Sequence, residues 1–210
     1  MLTKYQQFFT GRPTVEIAKD LLGKRVCYAG LYGKTGGYIV ETEAYLGEND
    51  SASHAFNGRR TDYTASLYGM PGDIYLYQIR GRYCFDIVVQ DEEEPQGILL
   101  RGIEPCEGID LMKRHRQMTG VNLTNGPAKL VQALGINSRQ LDGQPMAGSP
   151  LYVDLENFKI PREIITTARI GVNLAGKDGA KPRRFFVAGN PYVSGMHKRE
   201  MDLEKHGWKD

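Results

Sequence analysis

The chain has 210 residues, 40% of them hydrophobic and 25% charged, the make-up of one ordinary globular domain around a buried core. Its net charge of +2 leaves any nucleic-acid binding to local basic clusters, and no apolar run is long enough to span a bilayer. Residues 1–7 lack the apolar stretch and cleavage site of a secretory leader, so a location inside the cell, in the cytoplasm, is expected. Val15, Ala18, Leu21 and Leu22 follow helical spacing behind Thr14 as cap, which predicts a helix over 14–22 stopped by Gly23. Strands are predicted over 25–32 and 38–45, joined through the turn residues Gly33-Lys34-Thr35-Gly36-Gly37. Residues 46–73 show no period and are rich in Gly, Asn, Asp and Ser, which reads as a functional loop. Strands follow over 74–79, 83–90 and 97–103, the last two separated by the acidic turn 91–95. Helices are predicted over 107–116 and 127–134, the second with Asn125 as cap, Pro127 in its first turn and Gly135 beyond its end. Strands over 151–154, 164–170 and 184–187 and a polar helix over 194–206 complete the chain. Strands come first and helices are inserted without βαβ alternation. This order predicts a single α+β domain over 1–210, a mostly antiparallel, curved, open-barrel-like sheet with peripheral helices.

Cys27, Cys84 and Cys106 are odd in number and far apart, without a Cys-x-x-Cys, so reduced core thiols are expected and neither a disulfide frame nor a metal site. Basic residues cluster at Arg59-Arg60, Arg80 with Arg82, Lys113-Arg114-His115-Arg116 and Lys181 with Arg183-Arg184. Each cluster suits a solvated face as well as a phosphate contact. In Ile39-Val40-Glu41-Thr42-Glu43-Ala44-Tyr45, strand alternation puts Ile39, Glu41, Glu43 and Tyr45 on one face, at the end that runs into the long loop. Asp86 and Arg101 interrupt otherwise apolar strands, and buried charges must be paired or solvated. An arginine meeting acids from neighbouring strands can be a simple buried ion pair or an arginine that orients a catalytic carboxylate. Tyr45, His54, Tyr75 and Tyr77 could be ordinary packing or a stacking pocket for a flat heterocycle beside an activated water.

Several blocks carry a resemblance. They are Asp20-Leu21-Leu22-Gly23-Lys24, then Val40-Glu41-Thr42-Glu43-Ala44-Tyr45-Leu46-Gly47 followed by His54 and Gly58-Arg59-Arg60-Thr61. Next come Pro71-Gly72-Asp73-Ile74-Tyr75-Leu76-Tyr77, Leu99-Leu100-Arg101-Gly102-Ile103-Glu104-Pro105, Asn125-Gly126-Pro127-Ala128-Lys129-Leu130 and Gly189-Asn190-Pro191-Tyr192-Val193-Ser194. In this order, over nearly the whole chain, they resemble the alkyladenine (3-methyladenine, methylpurine) DNA glycosylase family. The resemblance implies excision of alkylated or deaminated purines from double-stranded DNA by base flipping and hydrolysis, without strand cleavage, metal or organic cofactor. It implies Glu43 as the general base toward water, Arg101 as its holder and a contact to the flipped nucleotide, and Tyr45, His54 and Tyr77 as the base pocket.

Two positions depart from the family pattern. Arg80 stands where an aromatic commonly wedges into the gap left by the flipped base, with Arg82 in place of an apolar residue; Arg80, Arg82 and Tyr75 are the expected DNA-contacting set. Asp86 lies near the place of an Asn that screens out guanine, so an altered substrate range, better tolerant of guanine-type lesions, is expected of the pocket. A damage-sensing DNA-binding protein without chemistry and a hydrolase of free nucleosides are the rival readings. One pocket and one DNA face make a monomer the expectation.

Overall fold

Apolar alternation organises eight strands: β1 (Lys24–Gly30), β2 (Gly33–Tyr45), β3 (Ile74–Ile79), β4 (Arg82–Val89), β5 (Gln96–Glu107), β6 (Leu151–Phe158), β7 (Ile164–Thr167) and β8 (Arg184–Val187). In the computed structural model, which describes all 210 residues, they form one antiparallel sheet of order β3-β4-β5-β2-β1-β6. The edge of β2 that β1 leaves at Tyr38 is taken up by β8 opposite Glu41–Glu43, and β8 carries β7. The sheet is open, because β3 and β6 end the path without a further partner. Four helices surround it: α1 (Lys4–Phe8), α2 (Thr14–Asp20), α3 (Ile109–Arg116) and α4 (Pro127–Leu134). No helix is long and apolar enough to cross a membrane.

Period 2 sorts the strands onto two faces. Ile74, Leu76, Phe85, Ile87, Val89, Ile98 and Leu100 enter the main core with Ile17, Ala18 and Leu130 from the helices. Tyr75, Tyr77, Cys84, Val88 and Leu99 form a second, smaller cluster on the opposite face, under Ala55, Leu67 and Tyr68 of the long loop. The alternation breaks at one place. Ile39 pairs with Ile103 and Thr42 with Leu100, yet Glu41 faces Gly102, so β2 gains a residue at Val40 and β5 gains one at Arg101. These compensating bulges restore the register while turning Glu41 and Arg101 toward the smaller cluster. Ile39 therefore belongs to the main core and does not share the face of Glu41 and Glu43 as strict alternation predicts.

Other differences from the sequence reading have local causes. The first hairpin turns at Leu31-Tyr32, both exposed, and 33–37 are already strand. A helix over 4–8, closed by a Thr3–Gln6 capping box, was not expected. Thr14 is not the cap of α2, whose cap is Pro13; its hydroxyl binds Gln96 and Gln90 instead. Gly126, not Asn125, precedes α4, and the Asn125 carboxamide accepts from Lys129. β5 and β6 run longer than expected and β7 shorter, and only the turn 198–200 is helical in the 194–206 segment. Cys27 and Cys84 are buried thiols, but Cys106 is exposed.

Candidate active site

One row of side chains crosses the smaller face. Tyr75 is opposite Asp86, Asp86 opposite Leu99, Leu99 opposite Glu43 and Glu43 opposite Arg184. Residues paired directly across antiparallel strands point the same way, so two carboxyl groups stand on this row with Leu99 between them.

Glu43 is fully buried. Its Oε1 accepts from the Ile170 N–H at 2.7 Å, its Oε2 accepts from the Tyr45 hydroxyl at 2.8 Å, and Arg101 Nη1 lies 3.3 Å from Oε2. Burial pushes the Glu43 pKa up against the pull of Arg101 and the two hydrogen bonds. Arg101 is bound more closely to Glu41, with Nε 2.9 Å from Oε1. Glu41 also takes Arg184 Nε at 2.7 Å, the Ser194 hydroxyl at 2.7 Å and the Ser194 N–H at 2.7 Å. Burial opposes its ionisation, but Arg101 and Arg184 outweigh that and hold its pKa low. The anion of Glu41 is thus favoured, and it fixes Arg101, which then reaches Glu43. The sequence offers Glu41 as a second carboxylate on the face of Glu43 and Arg184 as one of a basic cluster, but gives neither of them, nor Ser194, a role in holding Arg101. They come from three separate segments, Arg184 through the pairing of β8 with β2 and Ser194 from the chain beyond it.

Beside this cluster is a cavity of about 900 Å³, lined by Tyr45, His54, Tyr75, Tyr77, Asp86, Arg101 and others, with Leu99 in its floor. Glu43 sits just behind its wall, covered by Tyr45, Arg101 and Ile170, which do line it. Tyr75 and Tyr77 stack at 4.8 Å, and His54 stands edge-on to Tyr77 at 4.9 Å. His54 Nδ1 is 2.8 Å from the Tyr75 hydroxyl, and burial together with Arg59 pushes the His54 pKa down, favouring a neutral ring. Burial and the Glu43 and Asp86 carboxylates keep the Tyr45 hydroxyl protonated, so it remains a donor. Asp86 is 5% exposed and accepts from the Tyr77 hydroxyl at 3.0 Å. No group of three His, Cys, Asp or Glu side chains is arranged to hold a metal ion.

The remaining expected site residues separate. Tyr75, grouped in sequence with the DNA contacts, is fully buried in the cavity wall. Arg80 and Arg82 are exposed at the tip of the β3–β4 hairpin and line the cavity mouth. Arg80 and Gly81 form a two-residue turn with φ of 51° and 75°, the left-handed pair that joins twisted strands. Of the basic clusters, Arg183 and Arg184 turn inward onto Asp50 and Glu41, and Arg60 pairs with Glu93. Arg59, Arg114 and Lys181 remain exposed.

A second buried network supports the site, and no local pattern announces it. Asp50 and Arg169 are both fully buried and joined by two hydrogen bonds, of 2.6 and 2.8 Å. The Arg169 guanidinium lies 4.6 Å from the centre of the Tyr45 ring, and the next residue supplies the Ile170 N–H that binds Glu43. Asp50 opens the long loop, so this pair ties the loop to the carboxylate that the same strand presents.

Residues 7–191 match the family model described as Methylpurine-DNA glycosylase. The chain belongs to the methylpurine-DNA glycosylase family. It is 53% identical over 202 residues to a protein of Latilactobacillus sakei subsp. sakei provisionally named a 3-methyladenine DNA glycosylase, with 96% of this chain and 95% of that one covered. A similarly named protein of Lactobacillus delbrueckii subsp. bulgaricus is 50% identical over 206 residues, covering 97% and 99% of the two chains. Another, from Staphylococcus saprophyticus subsp. saprophyticus, is 45% identical over 201 residues, covering 96% and 98%. As a methylpurine-DNA glycosylase the chain is a hydrolase of N-glycosidic bonds in DNA. The open antiparallel sheet with its peripheral helices is the α+β architecture expected from the order of elements.

Proposed function

We propose that this methylpurine-DNA glycosylase takes a damaged purine, of the 3-methyladenine, 7-methylguanine or hypoxanthine type, out of duplex DNA into the cavity and cuts its bond to the sugar with water. The observation that carries this is a buried glutamate held by an arginine behind the wall of an aromatic-lined cavity, with basic residues at its mouth. Glu43 is the base. A swing of the Tyr45 ring opens Oε2 to the cavity, a water takes the place of the hydroxyl, and the carboxylate draws its proton as its oxygen attacks the sugar carbon. Arg101, fixed by Glu41, keeps Glu43 oriented and faces the backbone of the flipped nucleotide. Tyr45, His54, Tyr75 and Tyr77 hold the flat base by stacking and edge contacts. Asp86 stands where it accepts a hydrogen bond from an exocyclic amine, which admits guanine-type lesions. The enzyme works as a monomer on the DNA inside a bacterial cell.

The test is release of free 3-methyladenine from alkylated duplex DNA. Release in the parent and its loss in Glu43→Gln support the reading; damage-selective binding without release in either favours a sensor. Affinity for duplex that falls steeply with added salt speaks against a hydrolase of free nucleosides.

Arg80, at the hairpin tip, plugs the space the flipped base leaves, its guanidinium stacking where an aromatic would stand. Arg80→Ala is expected to slow excision from duplex DNA by about ten- to a hundredfold, the loss of one stacking contact of roughly 1–3 kcal/mol. Unchanged duplex binding and single-turnover excision in that variant would remove the wedge role.

A further inference from the structure

The two carboxyl groups of the row are provided for differently. Glu43 has a guanidinium, an N–H and an O–H. Asp86 has one hydrogen bond, from the Tyr77 hydroxyl, and no lysine, arginine or histidine nitrogen joined to it. No cation of the packed elements is bonded to it: α4 contributes Pro127 and Ala128, and its own strand places Arg82 at the exposed cavity mouth. β3 presents Tyr75 and Tyr77, β2 presents Glu43 and Tyr45, and its own strand presents Cys84. The long loop offers His54, which binds Tyr75, and β5 offers Arg101, which is engaged by Glu41 and Glu43. Burial, reinforced by the Glu43 charge and only partly offset by the Tyr77 hydrogen bond, pushes the Asp86 pKa up to about 7. Asp86 also lines the cavity that receives the base, whereas Glu43 lies behind its wall. Strands are about 4.8 Å apart, so the backbones of Asp86 and Glu43, one strand removed from each other across Leu99, stand roughly 10 Å apart. That spacing leaves room for the two groups to act on different sides of one sugar–base bond.

We propose that Asp86 is the acid of this site, protonating a ring nitrogen of a neutral damaged purine as it leaves. The assignment rests on the reading of Glu43 as the base. The bond between the sugar carbon and the purine nitrogen breaks, and its electron pair goes to the purine. The proton of Asp86 passes to a ring nitrogen of that purine, which departs neutral. The water oxygen bonds to the sugar carbon and its proton passes to Glu43. Solvent then returns a proton to Asp86 and removes one from Glu43. A purine alkylated at N3 or N7 is already cationic and needs no such proton. For that lesion the ionised form of Asp86 serves, as a fixed negative charge beside a positive ring. One side chain thus handles both lesion classes, in opposite protonation states.

The experiment is single-turnover release of hypoxanthine and of 7-methylguanine from otherwise identical duplexes, measured from about pH 5.5 to about pH 9, for the parent, Asp86→Asn and Tyr77→Phe. In the parent, hypoxanthine release should fall about tenfold per pH unit above about 7, with no such fall for 7-methylguanine. Asp86→Asn should lose hypoxanthine release by about 10²- to 10⁴-fold, together with the alkaline fall, and should lose distinctly less on 7-methylguanine, where only the fixed charge beside the ring is removed. Tyr77→Phe keeps the ring but removes the hydrogen bond that favours the Asp86 anion, so the alkaline fall should move to higher pH. Hypoxanthine release that survives Asp86→Asn with its alkaline fall intact overturns the proposal. An equal loss of both lesions also overturns it, because Asp86 would then shape the pocket without donating a proton. A parent that releases 7-methylguanine but is insensitive to pH on hypoxanthine overturns the acid while leaving the glycosylase reading in place. A parent that releases neither lesion overturns both.

Discussion

Glu43→Gln is expected to lower excision of a methylated purine by about 10²- to 10⁴-fold, the usual contribution of a positioned base, while damaged duplex is still bound. The amide has the volume of the acid, and its oxygen can still accept the Ile170 N–H that now sits 2.7 Å from Oε1. What it cannot do is take the proton of water. The surroundings should survive the change, because Arg101 is fixed chiefly by Glu41, at 2.9 Å, and not by Glu43. Loss of rate without loss of binding therefore reports the proton transfer itself. In the parent, the rate on a cationic lesion should rise with pH as Glu43 ionises and then level off, at a pH above the ordinary glutamate range because burial pushes this carboxyl up. Measuring single-turnover release and duplex affinity together separates the outcomes. A fully active Glu43→Gln protein would end the base assignment and transfer that role to Asp86, the other carboxyl of the row.

The parts of this site legible in the sequence are those set by local period. Alternation in 74–79 and 83–90 is enough to put Tyr75 and Tyr77 on one face of β3 and Asp86 on the facing side of β4, as the register bears out. The charges inside apolar strands, Asp86 and Arg101, signalled a polar site buried in a sheet, and both line the cavity. Period fails where the strand gains a residue. No residue type marks the bulges at Val40 and Arg101, so Ile39 is assigned by alternation to the face of Glu41 when it lies in the main core. Contacts between distant segments leave no local trace at all. Arg184 and Ser194 reach Glu41 from 143 and 153 residues away, and in sequence the first looks like one member of a basic pair. Tyr75 stands in the sequence both as an aromatic sharing the face of Tyr77 and as an expected DNA contact, and its ring packs on Tyr77 in the cavity wall. The Thr3–Gln6 capping box, a threonine followed three residues later by a glutamine, is a local helix-start signal that a reading by apolar period passes over.

Asp50→Asn should destabilise the protein by about 3–5 kcal/mol, the cost of leaving one partner of a buried ion pair without its counterion. Asp50 accepts from both terminal nitrogens of Arg169, from the N–H groups of Leu46 and Ala52, and lies 3.0 Å from Arg183. With an amide there, one oxygen can still accept from Arg169, but the second bond and the countercharge are lost and an NH2 group faces the guanidinium, which otherwise has only the carbonyls of Ala44 and Asp178. For a chain of this length the melting temperature should fall by roughly 10 °C. The pH dependence identifies the cause. Burial works against the Asp50 anion, but Arg169 and the backbone donors outweigh it and hold its folded pKa below the ordinary value of 3.8. A depressed folded pKa means that the pair stabilises above the unfolded value and loses its contribution as pH falls through the folded one. The melting difference between parent and variant should therefore be full near neutrality and shrink below about pH 4. Excision should suffer as well, since Arg169 stacks on Tyr45 and its neighbour Ile170 binds Glu43. Arg169→Lys should not substitute, because an ammonium cannot make two parallel bonds to one carboxylate. Melting of Asp50→Asn within a degree or two of the parent would mean that the pair adds geometry without stability, and its effect would then show in excision alone, through Tyr45 and the Ile170 N–H on Glu43.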